Sequence, residues 1–551
     1  MKVTPIEHVQ GTGLFSPLAG QEVLVRGVVT GSSRKGFFIQ APQRRGDGAS
    51  CGLFVFERRR RPPLGSLVEV RGRVVDYVPD EHERPTTQLD EMETRVLEER
   101  GPPVEPVWLT AERVLVEPGL LAQRLNALEG MVVGVEAGSV FAAPSNAFGD
   151  YVVVPPGASL ARTQQGGVLI DPARPQRWLP SLRVLDYDQA PRVHVGAELL
   201  QAVVGPLNFR SGAYQLAARD DLRVGPSSVD HGSTGLVADG SAVTVMTLNG
   251  FNLDPRVEDP RLVNDPARDV DDDVGDRRFE HLAGAIVRDA RCPDIVALQE
   301  IQDSDGAELT QVVSAKETLT CLVNAIREAG GPGYRWADIP PEAGADGGQP
   351  GGNIRNAFLY RSSRVELLDG SLRRLGVHAA EYEGSRKPLS ARFRVAGGEL
   401  EVINVHLASK RHQFGLFAPA QPGFDPRLEL RVRQVELLAS RLHELRREGV
   451  DYYVTGDFND FEFSETLQAL CGNHSVNLLE RVPSRLRFDY NHRGVSQALM
   501  HGVVAARQLD GRRADYEVLH ANALFGVRPG ALGMKPSDHA YVLARLELAG
   551  R

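Results

Sequence analysis

The feature that most constrains this chain is a change of hydrophobic period near Gly240. Before it, short apolar or alternating runs stand between Gly and Pro at intervals of roughly 8 to 15 residues, the pattern of short twisted strands joined by turns. Residues 22–30 (EVLVRGVVT), 36–40 (GFFIQ), 52–56 (GLFVF) and 67–75 (LVEVRGRVV) are the clearest of these. After it, strand-like runs alternate with helical spacing. Residues 243–248, 295–298, 357–360, 400–405, 452–455, 499–504 and 541–546 read as strands, and 277–290, 309–329 and 428–446 as helices. The first pattern builds all-β structure, the second an α/β domain.

At roughly 150 residues per domain, a chain of 551 residues divides into two to four units. The expected division is an OB-like β-barrel domain over residues 1–103, a second β-rich domain over 104–226, a linker over 227–240 and an α/β domain over 241–551. Five or so short strands suit a small barrel of the oligonucleotide/oligosaccharide-binding kind. In the second unit, residues 130–136, 151–154, 198–204 and 214–216 are strand candidates. The segment PSSVDHGSTGLVADG, residues 226–240, has a linker's composition.

A formal net charge of −9 excludes a surface that holds polyanions by net charge alone. Such a ligand needs a local basic patch or a bound cation. The four cysteines, Cys51, Cys292, Cys321 and Cys471, stand singly, which argues against structural zinc or a disulfide framework and for buried thiols. The N-terminus lacks the apolar core of a signal peptide, and no stretch approaches 18 apolar residues. The chain as written therefore reads as cytoplasmic, with no membrane partner and no evident obligate protein partner.

Several polar residues end apolar strands: Asn249 in VTVMTLN, Glu300 in DIVALQE, His406 in LEVINVH, and Asp457 and Asn459 in YYVTGDFN. Asp538 and His539 precede the last strand in SDHAYVLARL. Strand-end loops are where a rigid sheet presents functional groups. The residue types suit phosphodiester hydrolysis. Carboxylates hold a hard divalent cation through oxygen. A His or Asp positions water, and Asn and His donate to phosphate oxygens as charge builds. Each alone has a plainer reading as a turn, cap or ion pair.

Together, TLN, ALQE, NVH, GDFN and SDH in that order resemble the signature of the endonuclease/exonuclease/phosphatase superfamily. The chain is similar to bacterial multidomain extracellular nucleases with N-terminal OB-like domains in GGNIRNAFLY (351–360), VHLASK (405–410), GDFNDFEFSETL (456–467) and GVSQALMH (494–501). Its opening segment, residues 6–30, and VVGPLNFRSGAYQL, residues 203–216, resemble theirs too. The resemblance implies a four-layered α/β sandwich with the site at one edge of two packed sheets. It implies Glu300 as principal metal ligand, helped by Asn249 and Asp538, with Mg²⁺ or Mn²⁺, or else Ca²⁺, as the ion. Asp457 would activate water, Asn459 would contact the phosphate, and His406 and His539 would flank it. Arg355 and Lys410 are candidates for phosphate contact, with a salt bridge as the plainer reading of each. The implied substrate is nucleic acid, DNA with RNA as an open alternative, and relatives of this kind are commonly secreted.

One departure matters. Relatives read Leu-Asp-His where this chain has Leu499-Met500-His501, and that aspartate is expected to pair with the SDH histidine. Met500 cannot accept the bond, so His539 needs another partner, for which Asp489 in RFDY is near in sequence. Without one, the chain would be a weakened enzyme or a silent nucleic-acid-binding protein. Action on a small or lipid phosphoester is a further alternative. Two other features invite function: the acidic residues Asp265, Asp269 and Asp271–Asp273, read as a solvated loop without the twelve-residue calcium pattern, and the run Arg58–Arg61, read as a solvated loop against a nucleic-acid patch.

Overall fold

The computed structural model describes residues 1–548 apart from 44–47, 58–60, 80–82, 185, 187, 189, 231, 241, 396–397, 411–414, 419–420, 422 and 531–534. Arg58, Arg59 and Arg60 of the basic run, and the expected boundary at Ser241, lie outside the described residues.

The first β runs form β1 (Glu22–Ser33), β2 (Gly36–Gln40), β3 (Gly52–Phe56), β4 (Leu67–Tyr77) and β5 (Thr86–Glu98). They close into a barrel in the order β1-β2-β3-β5-β4, with β4 returning antiparallel to β1. Alternation does the sorting: Val68, Val70 and Val74 of β4 point inward with Val25, Phe37, Ile39 and Leu53. Closure removes the free edges that such strands would otherwise expose.

The second region forms a seven-stranded sheet between Val107 and Ala217. The strand read at 198–204 is Val203–Arg210 instead, because its first half pairs with Val132–Val135 and its second with Ala213–Ala217. This region shares its core with the C-terminal half. Phe417 sits edge-on to Tyr214, Phe209 and Trp178, at centroid distances of 5.1, 6.3 and 6.4 Å. Val168–Leu169 pairs in parallel with Val495 and Ser496. Residues 227–240 form no helix or strand among those described, yet Ser227 Oγ donates to Val195 O at 2.7 Å and Thr234 Oγ1 to Glu517 Oε2 at 2.5 Å.

These seams give an expected result. A fragment beginning at Gly235 exposes Phe417 and leaves the strand Val495–Gln497 without its parallel neighbour. Uncovering a large aromatic alone costs about 1.5–3 kcal/mol. The fragment should therefore unfold at lower temperature than the full chain and turn over less even at saturating substrate. Equal melting temperature and equal turnover would show that the seams are incidental.

The C-terminal half packs two sheets face to face between helices. One runs, in spatial order, Arg335–Ala337, Arg355–Tyr360, Ile295–Ile301, Ala242–Leu253, Tyr541–Glu547 and Ala514–Leu519. The other runs Glu366–Leu367, Leu389–Val395, Gly398–His406, Asp451–Asp457, Met500–Ala505 and Ser475–Asn477, with Arg373–Arg374 beside Leu389–Val395. Between them lie Val245, Ala297, Phe358, Phe393, Val402 and Tyr453. Helices Arg278–Gly284 and Lys316–Glu328 cover the first sheet through Leu282, Leu319 and Leu322. Leu428–Glu448 and Glu465–Cys471 cover the second through Val435, Leu438 and Leu467. This is the four-layered α/β sandwich. The central strands carry apolar residues on both faces because both faces are covered.

Two helices differ from their sequence reading. The helix read at 309–329 begins at Lys316, because residues 304–314 are held as a loop: Ser304 N donates to Ser314 O and Thr310 Oγ1 to Asp305. The one read at 277–290 is α-helical over Arg278–Gly284 and finishes in a wider turn over Ala285–Asp289. All four cysteines are free thiols, Cys51 buried and the other three half-buried rather than buried. No helix of the described residues is long and apolar enough to cross a membrane.

Candidate active site

The strands Ala242–Leu253, Ile295–Ile301, Gly398–His406 and Asp451–Asp457 run parallel within their sheets, so the residues that end them gather at one edge of the sandwich. Their ends are shaped for it. The ladder of Ile295–Ile301 slips register on both sides near Glu300, whose φ is 52°. A non-glycine residue at positive φ at a strand end is a bulge that re-aims a side chain, and its strain is tolerated where the surroundings hold it. Asn459, at φ 51°, turns the chain in the same way after Asp457.

Beneath the site, amides tie the two sheets together. Gln299 Nε2 donates to Asn404 Oδ1 at 2.6 Å, and Asn404 Nδ2 donates to Leu298 O at 2.8 Å and Ala357 O at 3.1 Å. These buried residues fix the spacing of Glu300 and His406, which follow them in sequence by one and two residues. Nothing in the sequence pattern singled them out, because an amide within an apolar run signals only that a buried partner exists.

Asn249 Nδ2 donates to Glu300 Oε1 at 3.0 Å. His406 Nε2 lies 3.7 Å from both Glu300 Oε1 and Asp457 Oδ2. His539 Nε2 lies 3.7 Å from Asp457 Oδ2 and 4.0 Å from Asp538 Oδ1. One ligand atom each from Glu300, His406 and Asp457 falls within a 4.8 Å group. Asp457 Oδ1 accepts from Asn459 N at 2.8 Å, and Asn459 Nδ2 donates to Leu407 O at 3.1 Å. The structure brings Asn249, Glu300, His406, Asp457, Asn459, Asp538 and His539 together at this edge.

Asp489 completes it. Its Oδ1 accepts from His539 Nδ1 at 3.0 Å, and its Oδ2 accepts the backbone N–H groups of Leu499 at 2.8 Å and Met500 at 3.0 Å. The Tyr490 ring stacks on His539 at 4.8 Å. Met500 therefore leaves no gap. Its side chain is fully buried among Leu479, Phe488, Val518 and Val542. Of the two outcomes left open at Met500, the structure has the one in which Asp489 takes the place of the missing aspartate beside His539. It follows that Met500→Asp should not raise activity. An unpaired carboxylate in that apolar setting costs several kcal/mol or takes up a proton, so the melting temperature should fall by several degrees. A variant more active than the parent at equal stability would mean that His539 is poorly held.

Arg355 and Lys410 are spent elsewhere. Arg355, 3% exposed, donates to Val313 O, Asn353 O and Asp338, the last at 3.3 Å. Lys410 Nζ bonds Asp460 Oδ1 at 2.7 Å and sits 4.2 Å from the Phe461 ring centre. Asp460 also binds Arg431, which is fully buried. Neither cation bonds to the carboxylate–imidazole cluster, which is the salt-bridge reading of both. The acidic run is solvated only in part: Asp272 is exposed, Asp265, Asp269 and Asp271 are half-buried, and Asp273 is buried. Asp273 is 1% exposed and pairs with buried Arg278, and Asp271 converges with Asp254 and Glu258 within 4.8 Å. The guanidinium of Arg278 makes that burial tolerable.

The electrostatics divide the two histidines. Burial, then Arg386 and His539 nearby, holds His406 well below its usual value, so it is neutral at neutral pH. Burial opposes charge on His539 as well, but Asp538, Asp457 and Asp489 outweigh it and raise its pKa to about 10. Burial and Asp538 raise Glu300 to about 7, and burial raises Asp457. Crowded, desolvated carboxylates of this kind are relieved by a cation. Asp538 Oδ1 is buried with no hydrogen-bond partner, and so is His406 Nδ1. An acceptor oxygen left over at a cluster of carboxylates fits a hard divalent ion.

Residues 123–228 match a domain of unknown function. Residues 261–539, just over half the chain, match the Endonuclease/Exonuclease/phosphatase family. No curated protein matches the chain. A humanized D. rerio TDP2 structure is similar at 15% identity and a TM-score of 0.36, covering 55% of this chain and 98% of its own. An endonuclease/exonuclease/phosphatase family protein of Bacteroides thetaiotaomicron is similar at 17% identity and a TM-score of 0.35, covering 55% and 94%. A mannosyl-6-phosphatase of the same organism is similar at 16% identity and 0.33, covering 55% and 98%. On its sandwich fold, its strand-end cluster and the family match across more than half its length, the chain belongs to the Endonuclease/Exonuclease/phosphatase family, a family of phosphoester hydrolases.

Proposed function

We propose that this chain is a divalent-metal-dependent phosphodiesterase that cleaves nucleic acid, most simply as an endonuclease on DNA and also RNA. The observation that carries the reading is the convergence of ligand atoms of Glu300, His406 and Asp457 to within 4.8 Å of one another, with Asp538 Oδ1 left unpartnered beside His539.

In this reading Glu300, with Asn249 and Asp538, would hold Mg²⁺ or Mn²⁺, with Ca²⁺ as an alternative, beside His406 and Asp457. When bound, the ion polarises a phosphate oxygen and offsets the charge that builds there. Asp457 is held by the Asn459 N–H with its Oδ2 toward both imidazoles, and it orients and deprotonates the attacking water. Asn459 supports the phosphate. His539, charged at neutral pH, donates from Nε2 to the phosphate or leaving oxygen, while Asp489 fixes its tautomer through Nδ1. His406, neutral, flanks the phosphate from the other side. The Asp489 contact removes the reason for reading the chain as a silent binding protein. The five-stranded barrel order supports an oligonucleotide/oligosaccharide-binding assignment for residues 1–103, which suits a polymer better than a small phosphoester.

The test is incubation of the purified chain with plasmid and with single-stranded DNA in Mg²⁺, Mn²⁺ or EDTA. Cation-dependent nicking of closed circles is expected. Hydrolysis of a sugar phosphate or a lipid headgroup with intact plasmid would replace this reading.

A further inference from the structure

Between the barrel and the second β-rich sheet lies a cavity of about 660 Å³, away from the carboxylate–imidazole cluster. Ligand pockets run to roughly 300–1,000 Å³. Its wall on the barrel side is aromatic: Phe54, half-buried, is packed against Phe38 at 4.8 Å, and Tyr77, at the end of β4, is 46% exposed. Lys35, in the β1–β2 turn, and Arg210, at the end of Val203–Arg210, stand exposed at its rim. Neither forms an ion pair among the described residues. Deeper in, Glu83 Oε2 and Gln215 Oε1 are buried and have no hydrogen-bond partner.

These features name a ligand class. Flat apolar faces take rings by stacking, rim cations take phosphate, and buried unpaired acceptors call for N–H donors. A neutral glycan would use the aromatics but not the cations. A chain of nucleotides with unpaired bases uses all three, since its bases offer both faces and ring or amino N–H groups.

The cavity is also joined to the cluster. Tyr490, stacked on His539, begins a hairpin whose strands are Tyr490–His492 and Val495–Gln497. Its two turn residues, Arg493 and Gly494, both have positive φ, at 48° and 86°, the tight connection that matches strand twist. A Cβ on Gly494 would meet Val152 Cγ1 at 2.5 Å, so the turn is pressed onto the second sheet. Arg493 Nη2 donates to Ser211 O at 2.6 Å and its Nη1 to Gly212 O at 3.2 Å, and Ser211 lines the cavity. At about 3.3 Å per residue, Tyr490 to Arg493 spans about 10 Å. The cavity rim is therefore within a few nucleotides' reach of His539.

We propose that this seam cavity takes unpaired nucleotides of the strand engaged at the cluster, stacking bases on Phe54 and Tyr77 and holding backbone phosphate with Lys35 and Arg210. This rests on the nuclease reading and adds to it a preference for single-stranded or locally opened substrate.

The test is binding rather than cleavage. Fluorescence anisotropy of the full chain in EDTA is measured with a labelled oligodeoxycytidylate of about 12 nucleotides, within the site sizes of strand-binding barrels. The single strand should bind more tightly than the same strand in duplex. Tyr77→Ala, at an exposed position, should weaken it about ten-fold, the lower range for loss of one stacked base. Lys35→Glu with Arg210→Glu should weaken it further and flatten its salt dependence, with melting temperatures unchanged. Affinity for the single strand unchanged in both variants would overturn the proposal, as would displacement of the strand by a neutral oligosaccharide such as cellohexaose. Strand binding that follows this pattern in a chain that cleaves neither plasmid nor single-stranded DNA would leave the cavity assignment standing and overturn the nuclease reading. Nicking without any such binding would do the reverse.

Discussion

Glu300→Gln is expected to lower turnover by at least ~10³-fold while leaving the fold intact. A bound cation supplies several kcal/mol of charge stabilisation in the transition state, and each ~1.4 kcal/mol is a factor of ten. The substitution removes the charge and keeps the shape. Gln can still accept from Asn249 Nδ2 through its remaining oxygen, so the bulge at φ 52° stays supported. The repulsion that raises the Glu300 pKa disappears with its charge. The variant should therefore melt no lower than the parent and lose both activity and metal affinity, and EDTA should abolish activity in the parent. Cleavage by the variant at the parental rate, or cleavage in EDTA, would refute the metal assignment.

The second large effect concerns the pair His539 and Asp489. Asp489→Asn keeps one oxygen to accept from the N–H groups of Leu499 and Met500, so the strand entering at Met500 should remain in place. The amide now faces His539 Nδ1 and donates to it. That forces the proton onto Nε2 and withdraws the carboxylate that stabilises the imidazolium. In a comparable buried His–Asp pair the same change costs about 10⁴ in rate, and a loss of ~10² to 10⁴ is expected here. His539→Ala should lose at least ~10²-fold, the usual span for a general acid–base group, and His406→Ala the same. Combining Asp489→Asn with His539→Ala should cost no more than His539→Ala alone, because Asp489 acts through the ring. Additive losses would show that Asp489 serves only to hold the backbone of Leu499 and Met500. The pH profile separates the roles as well. Asp538, Asp457 and Asp489 all raise the His539 pKa, and a bound cation offsets the first two, so the Asp489 contact is what keeps the ring charged: activity needing the charged form should fall as pH rises. In Asp489→Asn that fall should begin at lower pH.

What the sequence by itself determined is the class of each half and the line of residues along which the chemistry lies. Period-two runs between Gly and Pro allow only short strands, so the barrel and the second sheet follow from local pattern. Apolar runs such as VTVMTLN, DIVALQE and YYVTGDFN, alternating with amphipathic helices, require covered sheets and so an α/β domain, while the four-layered sandwich was implied by the resemblance that TLN, ALQE, NVH, GDFN and SDH carry. Because those strands are parallel neighbours within their sheets, their terminal Asn249, Glu300, His406 and Asp457 must gather at one edge.

Only the tertiary structure decided the partners. Asp489 and His539 are 50 residues apart, and nothing local aims one at the other; the hairpin Tyr490–Gln497 and the register of Met500–Ala505 bring them to 3.0 Å. Met500 looked like a missing carboxylate because a sequence shows which residue occupies a position but not which face it turns to. Here that face is the apolar core. Arg355 and Lys410 looked free for phosphate because unpaired cations and buried ion pairs read alike along a chain; Asp338 and Asp460 claim them only once the sheets pack. The acidic run looked solvated until Arg278 supplied the charge that lets Asp273 be buried. The shared core of the second region and the C-terminal half was not visible either: Phe417 packs against Tyr214, Phe209 and Trp178. Except for Asp273 and Arg278, which are five residues apart, the deciding contact joins segments that are distant in sequence. Local propensity and period carry no information about such contacts, and packing alone selects them.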